Sequence, residues 1–252
     1  MPLIDINGTQ LHYQRMGQNQ GPAVVMIHGL LLGNMASWYF TVASQLASRQ
    51  QVLLYDLRGH GLSSMSAQGY DLETMVDDLE ILLESQGLHE VALIGHSYGA
   101  IIALQFAQRY PDRVSRLVCI EGPLPLARGL ELDEFRKADP ETMLSALPMD
   151  LQKSLGTGSR QGRKLIARLN FLLNETNLLA QLRTERDPAQ ARPGAYKNPA
   201  LLIYGTQSKL VDVPRKLQDF LPQAQLSWLP GGHYLPSEMP QELGRTIGEF
   251  FA

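Results

Sequence analysis

The stretch Val91–Ala100, VALIGHSYGA, decides the fold. Its first half, Val91 to Gly95, is a continuous apolar run of the kind that forms a strand buried on both faces. Beyond it, Ala100 to Tyr110 carries apolar residues at helical spacing, and Pro111 stops the helix. Between the two lies Gly95-His96-Ser97-Tyr98-Gly99. Glycines flanking a serine in this way let a strand turn sharply into a helix, because other backbone can pass close to each glycine. The turn lifts Ser97 Oγ above the sheet edge, at a helix N-terminus whose amides favour negative charge. The bland alternative is a glycine-rich turn with an ordinary serine. The order strand, motif, helix favours an exposed nucleophile.

Outward from this point, strand-like and helix-like runs alternate. Leu3–Asn7 and Gln10–Arg15 flank Asn7-Gly8, a hairpin signal. AVVMI at Ala23–Ile27 and QVLLYD at Gln51–Asp56 read as strands, while Ser37–Ala47 and Leu72–Gln86 read as helices. A strand at Arg116–Ile120 ends on Glu121-Gly122-Pro123. Pro123 to Ala195 then shows no convincing strand, and helices are expected near 130–138, 141–147 and 163–183, the last with a possible bend. Alternation resumes with ALLIYG at Ala200–Gly205, a helix at Pro214–Phe220, QLSWL at Gln225–Leu229 and a terminal helix from Pro240 to Phe250. Strands separated by helices imply a mostly parallel sheet covered on both faces. The expected organisation is an α/β core, residues 1–122 and 196–252, with a helical cap at 123–195. The cap begins at the carboxyl end of a strand, where such sheets place ligands. Cys119 and Trp228 are expected in the core, and Trp38 in a packing role.

Composition removes several classes of function. The chain has 252 residues, 44% hydrophobic and 19% charged, which suits a globular domain with a sizeable core. A net charge of −3 gives no basic footprint for nucleic acid. One cysteine excludes an internal disulfide and a four-cysteine zinc site. The six histidines lack zinc-ligand spacing, and neither nucleotide-loop motif occurs, so no metal or cofactor is expected. No apolar run is long enough to span a bilayer, and the first residues lack the order of a signal peptide, so a cytoplasmic location is expected.

A serine hydroxyl needs a base to take its proton during attack. His233, in Pro230-Gly231-Gly232-His233-Tyr234 after the last strand, is the preferred candidate. The tight turn should point His96 elsewhere, and His60 sits in a glycine-rich loop that lines the site at most. The oxyanion of acyl transfer needs amide donors. Tyr98, just past the nucleophile, supplies one candidate, and Leu30, in His28-Gly29-Leu30 after the strand ending at Ile27, supplies the other. His28 is read as a tie for this loop.

Together these segments resemble the α/β-hydrolase family, in its lipase, esterase and carbon–carbon-bond hydrolase branch. The resemblance rests on His28-Gly29-Leu30, YDLRGHGLS at Tyr55–Ser63, GHSYG at Gly95–Gly99, YPDRVSRLVCIEG at Tyr110–Gly122 and GGHYL at Gly231–Leu235. It implies an eight-stranded, mostly parallel sheet, a helical cap after strand 6 and a Ser–His–acid triad. It makes Asp56, Arg58 and Gly59 loop-building residues. A serine at the elbow also separates the chain from haloalkane dehalogenases, which carry an aspartate there.

The acid departs from the family pattern. Relatives often place an aspartate three residues after the glycine ending the penultimate strand, but the residue after Gly205 at that spacing is Ser208. Glu121, at the end of the strand before the insertion, is the preferred substitute, because some relatives place the acid there and its carboxylate should emerge at the active edge. Asp212 is the alternative acid, or else a helix cap, and a site with no true acid is the remaining option.

The insertion carries 11 basic and 9 acidic residues, so it is about +2 and the rest of the chain about −5. Lys153, Arg160, Arg163, Lys164 and Arg168 form a basic run, either a solvated helix face or a docking patch for coenzyme A or an acyl-carrier protein. A leucine-rich series through the same region packs the cap and leaves a surplus for an apolar acyl pocket. The expected reaction is hydrolysis of a carboxylic ester or thioester through a Ser97 acyl-enzyme. The rivals are a carbon–carbon-bond hydrolase of a diketone-like substrate and a non-catalytic small-molecule-binding protein. The oligomeric state is not legible.

Overall fold

The computed structural model of the chain describes residues 2–18, 21–123, 145, 152, 159–184 and 195–252. Eight strands form one sheet: β1 (Leu3–Ile6), β2 (Thr9–Met16), β3 (Ala23–Ile27), β4 (Val52–Tyr55), β5 (Val91–His96), β6 (Val114–Ile120), β7 (Ala200–Gly205) and β8 (Gln225–Leu229). Their order is β1-β2-β4-β3-β5-β6-β7-β8. Only β1 with β2 and β2 with β4 pair antiparallel; the remaining pairs are parallel. The β1–β2 turn is Asn7-Gly8, both at positive φ, as the hairpin signal predicts.

The strands alternate their side chains between two cores. Val25 and Ile27 of β3, Leu93 of β5, Cys119 of β6 and Leu202 of β7 enter one cluster. Val24, Met26, Ile94, Val118 and Ile203 enter the other. All are essentially inaccessible, which explains why these strands read as unbroken apolar runs. The first face is covered by α3 (Leu72–Ser85) and α4 (Tyr98–Arg109). The second is covered by α1 (Ala36–Tyr39), α2 (Val42–Leu46) and the C-terminal helix Pro240–Phe251. At about 1.5–3 kcal/mol per large side chain removed from water, these two layers dominate the stability.

Two local expectations need correction and a third is sharpened. The helix expected at Ser37–Ala47 is two short helices broken at Phe40-Thr41. The Thr41 hydroxyl donates to Ser37 O at 2.7 Å, and its backbone leaves the helical region. Trp38, Val42, Ala43 and Leu46 are buried from both pieces, so the apolar period survives the break that it conceals. Trp228 is not core but 41% exposed, because β8 is the edge strand and of its residues only Leu229 is buried. The helix read at 163–183 with a possible bend is α5 (Arg160–Asn174) followed by α6 (Leu178–Thr184), with a break in place of the bend. The Thr176 hydroxyl donates to Leu172 O and accepts from Leu178 N, ending one helix and starting the next. The helices expected near 130–138 and 141–147 fall outside the described residues, apart from Ser145.

Candidate active site

The parallel strands end on one edge of the sheet, and the site is built there from three corners. At the first, β5 passes into α4 through Ser97, whose φ of 54° is rare for a residue with a side chain. The surroundings hold that conformation. A Cβ on Gly95 would lie 2.2 Å from Gly99 O, and one on Gly99 would lie 2.3 Å from Ile27 O. Both glycines are therefore required, and Gly99 brings the start of α4 against the end of β3. The loop after β3 then crosses the serine so closely that a Cβ on Gly29 would lie 2.9 Å from Ser97 Cβ. Leu30 and Tyr98, the expected oxyanion donors, thus stand on two segments that meet at Ser97.

The second corner is the loop after β8. The Ser97 Oγ to His233 Nε2 distance is 3.0 Å. The loop is fixed by Gly232 N–H donating to Glu238 Oε2 at 2.5 Å and by Gln207 N–H donating to Gly231 O at 3.0 Å. His96 serves the same end. Its Nε2–H donates to the backbone carbonyl of His233 at 2.7 Å, across 137 residues of sequence. Burial, with the nearby His233 ring second, pushes the His96 imidazole down to about 3, so it stays neutral and holds this tautomer.

Glu121 forms the third corner. Its side chain is inaccessible, and Oε2 lies 3.1 Å from His233 Nδ1. Oε1 accepts from Gly205 N–H at 2.6 Å, and Oε2 also accepts from the Ser208 hydroxyl at 2.5 Å. Asp212, the alternative acid, does neither of the two things expected of it. Its side chain is exposed at the start of α7 (Val213–Phe220) and makes no capping bond. The position four residues past Ser208 is carried outward by the turn that Ser208 begins.

The remaining histidines build loops. His28 Nδ1–H donates to Gly29 O at 2.7 Å while Nε2 accepts from Leu57 N–H at 3.0 Å. Burial pushes His28 below its ordinary range, which fits that neutral pattern. His60 Nδ1–H donates to Arg58 O, and Nε2 accepts from Leu31 N–H at 2.8 Å, just after the oxyanion candidate Leu30. Asp56 accepts from Met35 N–H and Leu62 N–H and pairs with His12 at 2.8 Å. Arg58 is spent on a bidentate pair with Asp78.

Arg168 is a correction. Its guanidinium does not join an outward basic run; it turns inward from α5 and donates to Gly59 O at 2.9 Å and Gly61 O at 2.7 Å. Helix α5 is thereby tied to the loop holding His60. Arg160, Arg163 and Lys164 are exposed, and Lys153 lies outside the described residues. Leu169 and Leu173 of α5 and Leu179 of α6 form a small cluster against Leu31 and Leu32. Sequence reasoning missed Arg168, His96 and Ser208 as site supports. Only Ser208 carried a signal, its place three residues after Gly205.

With this geometry in place, comparison with known proteins becomes informative. A family model for the alpha/beta hydrolase fold matches residues 22–157, and the chain belongs to that family. Over 134 residues it is 37% identical to a cis-3-alkyl-4-alkyloxetan-2-one decarboxylase of Shewanella oneidensis, covering 48% of this chain and 41% of that relative. Over 272 residues it is 29% identical to an sn-1-specific diacylglycerol lipase of Mus musculus, ABHD11, covering 98% of this chain and 87% of that one. Among solved structures, the enol-lactonase from Burkholderia xenovorans LB400 superposes with a TM-score of 0.79 at 22% identity, covering 99% of each chain, a likeness of fold. Among the described residues, no helix is long and apolar enough to cross a membrane, and no group of side chains is arranged to hold a metal ion.

Proposed function

We propose that the chain is a serine hydrolase that cleaves a carboxylic ester or thioester. The observation that carries this reading is the relay of contacts from Ser97 Oγ through both nitrogens of His233 to the inaccessible carboxylate of Glu121. Ser97 Oγ attacks the acyl carbonyl as His233 Nε2 takes its proton. The carbonyl π electrons move to oxygen, where the amides of Leu30 and Tyr98 meet the charge. Collapse breaks the bond to the alcohol or thiol, which leaves with the proton from His233. Water, deprotonated by the same nitrogen, then releases the acid from Ser97. Glu121 keeps the proton of the resting imidazole on Nδ1, so that Nε2 is free to accept.

The relatives' printed substrates point the same way. A diacylglycerol is an ester and an oxetan-2-one is a cyclic one, so the shared feature is an ester carbonyl. Coenzyme A or an acyl-carrier protein stays within the proposal only through Arg160, Arg163 and Lys164, since Arg168 is committed to the core.

The test is a rate panel on p-nitrophenyl esters, acyl-coenzyme A and a vinylogous diketone, with Ser97→Ala alongside. Ester or thioester turnover that disappears in Ser97→Ala is expected. Turnover of the diketone alone transfers the reading to carbon–carbon-bond hydrolysis. No turnover of any substrate, with a fluorophosphonate failing to label Ser97, favours a binding protein.

A further inference from the structure

We infer that Ser208 is a positioning residue whose hydroxyl proton holds the Glu121 carboxylate against His233; this rests on the Ser97–His233–Glu121 reading above. A serine hydroxyl has one proton to give. Leu210 N–H donates to Ser208 Oγ at 3.1 Å, which occupies the oxygen as acceptor and leaves its proton for Glu121 Oε2 at 2.5 Å. That same Oε2 faces His233 Nδ1. Gly205 N–H holds the other oxygen. An ionised carboxylate only accepts, so three donors converge on a side chain with no access to water. Such a charge is tolerable only when it is so surrounded. Glu121 also enters with φ at 52°, a conformation its own backbone does not favour. The position at which an acid would otherwise stand has thus become a donor to an acid brought from the neighbouring strand.

Removing the hydroxyl leaves Oε2 with one donor instead of two. The buried carboxylate is then less firmly held and freer to turn from His233, so the imidazole is less often in the tautomer and orientation that accept the Ser97 proton. Other groups face the pair. The His96 ring lies 5.2 Å from His233 but is held neutral by burial, down to about 3. The Tyr204 hydroxyl donates to Gly122 O and is raised well above its ordinary range, chiefly by burial. Glu238 is engaged with Gly232 N–H, and Lys209 and Asp212 are exposed.

The experiment measures kcat and KM on p-nitrophenyl butyrate for the full chain and for Ser208→Ala, Ser208→Cys, Ser208→Thr and Glu121→Gln, each with a thermal melt. Ser208→Ala is expected to lower kcat about tenfold, with KM within about twofold. Ser208→Thr, which keeps the hydroxyl, is expected to restore kcat. Ser208→Cys fills the space but donates weakly, and should track Ser208→Ala even if the alanine variant melts early. An unchanged kcat in Ser208→Ala and Ser208→Cys would overturn the inference, as would equal impairment in all three Ser208 variants. Wild-type rates in Glu121→Gln would instead sink the triad reading. A Glu121→Gln loss of at least about 100-fold beside an unmoved Ser208→Ala would sink the role of Ser208 alone.

Discussion

The corners holding Ser97 and Glu121 invite comparison. Both residues sit just past the end of adjacent parallel strands, and both take a positive φ, 54° and 52°. They are held there by different means. Ser97 is fixed by its own neighbours, since Gly95 and Gly99 lie within two residues of it and pack on each other and on β3. Glu121 is fixed by residues more than 80 positions away, through Gly205, Ser208 and His233. A corner made from contiguous sequence carries its own signature. A corner assembled from three distant segments does not, and its chemistry becomes visible only once the sheet order is known.

The largest effect that sharpens the contrast lies at the distant corner. Glu121→Gln should lower kcat by about 10³–10⁴-fold, because the imidazole loses the partner that sets its tautomer. Asp212→Asn, assayed on the same ester, should stay within about twofold, and reversal of that order would return the acid to Asp212. Next comes the local corner. Gly99→Ala drives a methyl into Ile27 O and His28 O, both backbone, and should cost at least about 2 kcal/mol in denaturant unfolding. An alanine variant of wild-type stability would show that the turn is not held by close packing.

The smallest effect concerns the loop behind Leu30. Burial, with His28 second, pushes His60 from 6.5 down to about 3. The unfolded chain therefore binds the proton first. The stabilising contribution is complete above about pH 6.5 and is lost as pH falls toward 3, at about 1.4 kcal/mol per unit. Between pH 6.5 and 5 that amounts to roughly 2 kcal/mol. In His60→Asn the fall of unfolding free energy over this interval should be shallower, even if the variant starts lower. An identical slope would remove His60 from the account.

What was legible followed the same division. The eight strands could be placed because each is a short run bounded by turn residues, and Ser97 could be singled out because strand, turn and helix are consecutive. His233 stood out through Gly231-Gly232 beside it. Helix continuity across Phe40-Thr41 was misread because both fragments feed one core. Trp228 was misplaced because apolar character does not reveal which strand is at the edge. Arg168 looked like one charge in a basic run, since nothing local tells that Gly59 O and Gly61 O wait beneath it. Ser208 read as the loss of an acid, when its hydroxyl meets the Glu121 carboxylate just past β6.

The central claim, that Ser97 attacks while His233 accepts its proton, is tested most directly by pre-steady-state hydrolysis of a p-nitrophenyl ester with intact-mass detection. The account requires a burst of about one nitrophenol per chain, an acyl adduct on the peptide containing Ser97, and neither in Ser97→Ala or His233→Ala. Steady turnover without burst or adduct, undiminished in Ser97→Ala, would contradict it.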